Sequence, residues 1–150
     1  MPLRKLNRVI SLNVLKEFNI KQNLAFNELY NLNNKNNKIN INDLGYLIGP
    51  ILNSGGRLGK SSYATELLSS DNLKIVSERS IELNDLNEKR KKIEALILND
   101  VDFNKIDDDN KDVVIYYNPN INEGLIGIIA ARLKDHFNKP SIELPHQMEY

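Results

Sequence analysis

No cysteine occurs among the 150 residues, which excludes disulfides and thiolate metal sites. Neither sign of charge dominates, because twenty Lys and Arg balance twenty Asp and Glu. A net charge of zero gives no hint of a nucleic acid, membrane or acidic partner, so any basic site must be local. Long apolar runs are missing as well. The longest, Leu125 to Leu133, is broken by Gly127 and Arg132 and is far too short to span a bilayer. The opening residues, Met1 to Leu15, carry Arg4, Lys5 and Arg8 and lack the clean apolar block of a secretory signal. No membrane association is expected, and a cytoplasmic protein is the default. Hydrophobic residues make up 41% of the chain, enough for one ordinary domain or two small lobes with modest cores. Asparagine is over-used, most of all between Asn31 and Asn42. With the frequent Lys and Ile this reads as an AT-rich coding sequence, so Asn and Lys carry little functional weight by themselves.

What is present centres on Gly49 to Ser62. Gly55, Gly56 and Gly59 fall within five residues, beside Asn53, Arg57, Lys60 and Ser61. Such a stretch reads as a loop whose backbone can take positive φ and whose amides can approach an anion, with two cations alongside.

The fold class expected is α/β: a mainly helical N-terminal region, a long connecting helix and then a partial βαβ lobe. Leu6, Val9, Ile10, Val14 and Phe18 lie at helical spacing. A short helix follows over Leu24 to Leu32, and Asn33 to Lys38 is a polar loop. Asn42 or Asp43 is positioned to cap a third helix with Leu44, Leu47 and Ile48 inward. Pro50 is expected to bend or end it. Ser61 or Ser62 then caps a helix through Leu68, with Ala64, Leu67 and Leu68 inward. Asp71 caps the longest one, roughly Asn72 to Asn99. Val76, Arg79, Leu83, Leu86, Arg90, Ile93 and Ile97 make one seam along it. Asp107 to Lys111 is a polar break and the expected lobe boundary. Beyond it, Val113 to Tyr117 reads as a strand, Gly124 to Phe137 as a helix and Pro140 to Leu144 as a second, parallel strand. Two strands do not complete a sheet, so this lobe looks cut short.

Three separated segments carry a resemblance. Met1 to Arg8 resembles the stretch after the last metal-binding aspartate motif of the RecJ family, single-strand-specific 5′→3′ DNA exonucleases of the DHH phosphoesterase superfamily. Gly49 to Gly59 is similar to that family's Gly-Pro-Arg-Leu-Asn-Ala-Ala-Gly-Arg-Leu-Gly signature. Asn122 to Leu133 is similar to its His-x-Gly-Val-Ile-Gly-Ile-Val-Ala-Ser-Arg-Leu segment. Order and spacing agree up to about Ile142. The resemblance implies three parts: residues 1–70 as the helical end of the DHH-type lobe, 71–104 as the connecting helix and linker, and 105–150 as a truncated second lobe.

In that family, aspartates and histidines hold two manganese or magnesium ions, which activate water and stabilise the departing oxygen of a phosphodiester. Here Met1 stands just past the expected place of those aspartates. The only histidines are His136 and His146, and no Asp-His pair occurs. The family's late glycine-rich motif is also missing. No catalytic or metal-ligating residue is therefore assigned, and no cofactor is expected to be bound by this chain. Ile51 replaces the signature's first arginine, Asn122 replaces its histidine, and the tail Glu143 to Tyr150 leaves the pattern.

The resemblance makes Asn53, Gly55, Gly56, Arg57 and Lys60 the candidate nucleic-acid-binding residues, forming one wall of a single-strand DNA cleft. Arg57 would offer its planar fork to a phosphate. The plainer alternative is a helix-to-helix turn with Arg57 in a salt bridge. A Walker A reading of Gly59-Lys60-Ser61 fails because Ser54 sits where the first glycine belongs and no strand precedes it. Lys89 to Lys92, flanked by Glu88 and Glu94, reads as a solvated helix face. Asp107, Asp108 and Asp109 read as a polar linker. His136 sits near helix-end carbonyls, and Gly124 and Gly127 suit close packing of helix on strand. The expectation is a truncated or split exonuclease of DNA repair and recombination, inactive alone, with weak or lost affinity for single-stranded DNA. A separately encoded metal-binding lobe is its expected partner. The alternatives are a non-catalytic DNA-binding or partner module and a gene remnant.

Overall fold

The computed structural model describes residues 4–101 and 112–144. The Asp107 to Lys111 break, the acidic run within it, His146 and the tail 145–150 lie outside the described residues. Contacts divide the chain into two units, Met1–Gly55 with Lys60–Asn87, and Gly56–Gly59 with Glu88–Tyr150.

The first unit is helical. Helix α1 spans Lys5–Glu17 and α2 spans Leu24–Leu32, where the Asn23 side chain caps the Phe26 amide at 3.0 Å. The next start differs from the sequence expectation: Asn40, not Asn42 or Asp43, is the cap. It forms a capping box in which its side chain takes the Asp43 amide and the Asp43 carboxylate takes the Asn40 amide.

Helix α3 then runs from residue 41 to 57 in three stretches, α-helical Ile41–Asp43, π-helical Leu44–Ile48 and α-helical Gly49–Arg57. It neither bends to an end at Pro50 nor opens into a glycine loop. Pro50 has no amide hydrogen, and in a regular helix its ring would crowd the carbonyl four residues back. Widening by one π turn, in which the Gly49 amide reaches Leu44 O, carries the helix past it. A Cβ at Gly49 would meet that oxygen at 2.9 Å, so the wide turn needs glycine there.

Helix α4 (Ser62–Ser69) follows; Ser61 stands at its N-cap without a side-chain bond, and Leu68 is exposed rather than inward. Helix α5 (Leu73–Asp100) is capped by Asn72 rather than Asp71, through bonds from the Lys74 and Ile75 amides. Its 28 residues span about 42 Å. The buried line along its first part is Val76, Ser80, Leu83 and Asn87, rotated from the expected seam because two of its members are polar. Leu29, Ile48, Ile51, Leu67, Val76 and Leu83 are the centre of this unit's core.

The second unit has the expected βαβ order. Strand β1 (Val114–Tyr117) pairs in parallel with β2 (Ser141–Leu144), and helix α6 (Glu123–Phe137) connects them. Leu125, Ile129 and Leu133 of α6 pack with Val114, Ile121 and Val101. The Asn122 side chain, where the family signature has histidine, caps α6 by accepting the Gly124 amide at 2.9 Å. Asn138, left-handed at φ 52°, ends it. Among the described residues no helix is long and apolar enough to cross a membrane.

Candidate nucleic-acid interface

The glycine-rich stretch is the C-terminal end of α3 and a tight turn. Gly59 is its one residue at positive φ, +79°. The Lys60 amide donates to Gly55 O at 2.7 Å, the six-to-one bond that closes a helix on a left-handed glycine. Peptide amides before the turn are committed to the helix ladder, and a helix C-terminus carries partial negative charge. The expected cradle of backbone amides is therefore not formed here. An anion at this end would have to be held by side chains.

Asn53, Gly55 and Lys60 belong to the first unit. Asn53 and Lys60 are exposed, and the Lys60 ammonium lies 5.7 Å from the centre of the Tyr63 ring. Tyr63 also carries the Arg79 guanidinium at 4.3 Å, and Arg79 is in turn held by Glu66 and Glu82. Gly55 is buried, and a Cβ there would meet Lys60 O at 2.6 Å and Leu83 at 3.0 Å. It serves packing and is not on the surface. Beside it, the fully buried Ser54 hydroxyl lies 2.6 Å from Ile51 O and 2.9 Å from Leu83 O, tying α3 to α5.

Gly56 and Arg57 belong to the second unit and are described with it. Gly56 is exposed with open space where a Cβ would stand. Arg57 is half-buried, and its Nη1 donates to Gly124 O at 2.8 Å, so its partner is a carbonyl and not the carboxylate of the plainer reading. One of five N–H donors is engaged this way. The Gly124 backbone presses on the same residue: a Cβ at 124 would stand 2.3 Å from Arg57 O. Gly124 thus packs on the end of α3, not on a strand. Gly127 has nothing within 4 Å and packs on neither.

The remaining sequence candidates resolve plainly. In the basic run of α5, Arg90 bonds Glu94 and Lys91 bonds Glu88 at 2.8 Å, with Lys89 and Lys92 exposed. Buried Glu94 also accepts from Arg132 at 2.8 Å. Spacing hinted at the Arg90–Glu94 pair, four apart on one helix, but nothing in the sequence pointed to Arg132. His136 packs edge-on to Phe137 at 4.8 Å. Among the described residues no three His, Asp or Glu side chains converge as metal ligands would.

No family model matches the chain. Over 156 aligned residues it is 28% identical to the single-stranded-DNA-specific exonuclease RecJ of Haemophilus influenzae, covering 99% of this chain and 27% of that protein. It is 37% identical over 109 residues to the RecJ of Salmonella typhimurium, covering 67% of this chain and 18% of that one. Its fold matches the crystal structure of RecJ in complex with Mg2+ from Thermus thermophilus, with a TM-score of 0.79 over 97% of this chain and 23% of that one, at 22% identity. The chain therefore spans about a quarter or less of the curated relatives it matches. Along nearly its whole length, it is homologous to part of the RecJ single-strand-specific exonucleases.

Proposed function

We propose that this chain is the central part of a RecJ-type single-strand DNA exonuclease, supplying a DNA-facing wall but not the metal centre. The observation that carries the reading is homology along the whole chain to proteins named for acting on single-stranded DNA. In support, Asn53, Gly56 and Arg57 recur at three- and four-residue steps along α3, and Lys60 follows the turn. Arg57 keeps most of its guanidinium donors beyond the bond to Gly124, so a phosphate can be met by the fork while α6 is held. Gly56 leaves room for close approach. Manganese or magnesium chemistry, which related structures carry, belongs to a metal-binding lobe made separately, and no hydrolytic step is assigned to these residues.

Two measurements test this. Purified chain incubated with manganese and 5′-labelled single-stranded DNA should leave the DNA intact; metal-dependent degradation would overturn the reading. Single-strand binding followed against salt should show Arg57→Ala weakening affinity for all sequences, with the logarithmic salt slope reduced by about one unit. An unchanged slope would remove Arg57 from the DNA surface.

A further inference from the structure

Three positions after Lys60 stands an aromatic ring, Tyr63. It lies in the first turn of α4, past the signature-like stretch Gly49 to Gly59, and is half-buried against the first unit's core. Two cations lie over this ring, and they are held very differently. The Arg79 guanidinium, 4.3 Å from the ring centre, is anchored by Glu66 and Glu82. It steadies the ring, and with two carboxylates on it Arg79 has no positive charge left to offer. The Lys60 ammonium, 5.7 Å from the ring centre, has no carboxylate partner among the described residues. A cation over a partly exposed ring is weakly held, so Lys60 can leave the ring where Arg79 cannot. A steadied aromatic face beside one mobile cation matches the two needs of a single strand: a surface for a base and a charge for the backbone.

We infer that Tyr63 is a base-stacking residue for single-stranded DNA: one nucleobase takes the place of the Lys60 ammonium on the ring, and that ammonium pairs with a neighbouring phosphate. This rests on the single-strand reading proposed above and extends it from backbone contacts to a base contact. The contact is indifferent to sequence, because every base has a π-face. A phosphate at this point meets Lys60 alone, so the stack and the charge belong to different side chains and are separable by experiment.

The test is binding of the whole chain to labelled oligo(dT), and to a strand of the same length that is abasic throughout, by anisotropy at several salt concentrations. Tyr63→Leu should weaken oligo(dT) binding roughly tenfold and leave the salt slope unchanged, since stacking releases no counterions. Against the abasic strand the same variant should bind as the wild type does. Lys60→Ala should lower the logarithmic slope by about one unit on both strands. Tyr63→Phe should keep full affinity. Because Tyr63 also packs on the core, Tyr63→Trp supplies a second reading that retains an aromatic ring. The chain has no other tryptophan, so the indole reports alone and should be quenched by oligo(dT) but not by the abasic strand. If circular dichroism shows Tyr63→Leu unfolded, the quenching decides by itself. Equal loss on both strands overturns the inference, as does an indole that oligo(dT) leaves unquenched. Either result with Arg57→Ala still lowering the slope removes the stack and keeps the DNA wall; a wild-type chain that binds neither strand removes both.

Discussion

The two units treat their buried carboxylates differently. In the first, Asp43 accepts the Asn40 amide at 3.0 Å and lies 3.5 Å from the Lys35 ammonium, so its charge has partners. In the second, Glu94 has two arginines, but Glu143 is 4% exposed and neither of its oxygens has a hydrogen-bond partner among the described residues. Strand β2 therefore carries its acid toward α6 and its apolar residues toward solvent, an inversion of ordinary patterning. The acid is a cost. The first unit is built as a finished core apart from α1, none of whose residues is buried; the second has a sound helix and a compromised sheet.

The largest effect that would sharpen this contrast is at Gly124. Its Cα side meets backbone atoms of Arg57, which cannot swing away as a side-chain tip would. Gly124→Ala must push α6 off the end of α3 and break the bond from Arg57, for a loss of about 3 kcal/mol. Hydrogen exchange should show the loss among amides of α6 and β1, while α2 and the first half of α5 keep their protection. Equal loss in both units would mean that they unfold as one and would break the comparison.

A smaller effect belongs to Glu143. Burial raises its carboxyl to about 7 from an ordinary 4.5. The native state then binds more protons than the unfolded one between roughly pH 4.5 and 7, so stability falls as pH rises through that window. Glu143→Val should abolish this dependence and stabilise the second unit by about 2 kcal/mol at neutral pH, because an unpaired buried charge gives way to an apolar side chain. Thermal melts at pH 4.5 and 7.5 for both proteins decide it. A wild-type midpoint that is no lower at the higher pH would mean that Glu143 is solvated or paired in solution.

Periodicity was a sound guide to the elements. The helices over Leu24–Leu32 and Glu123–Phe137 and the parallel strand pair are legible because apolar spacing of three to four or continuous β-branched runs mark them. It failed wherever a polar side chain was buried. The seam of α5 passes through Ser80, Asn87 and Glu94, which an apolar template skips. At α3 the reading failed for another reason: proline and glycine penalties are local, and one π turn together with packing against α5 overrides them. In the candidate interface Asn53, Gly56 and Lys60 are exposed and Arg57 is half-buried, but the burial of Gly55 was not legible from the motif. That burial depends on Leu83, 28 positions away, whose approach no local pattern encodes.

The smallest effect bears most directly on function. Gly56 and Gly127 both sit inside helices with open space where a Cβ would go. By backbone entropy alone, alanine at either position should stabilise by about 0.5–1 kcal/mol, since glycine is the poorer helix former. Gly127→Ala thus serves as the measure of that gain in the absence of a ligand role. If Gly56 is retained so that a phosphate backbone can come close, Gly56→Ala should gain comparable stability yet lose single-strand affinity, several-fold in a filter-binding or anisotropy titration. Unaltered affinity would leave Arg57 and Lys60 as the contacts at this helix end and reduce Gly56 to an inherited inefficiency of the helix.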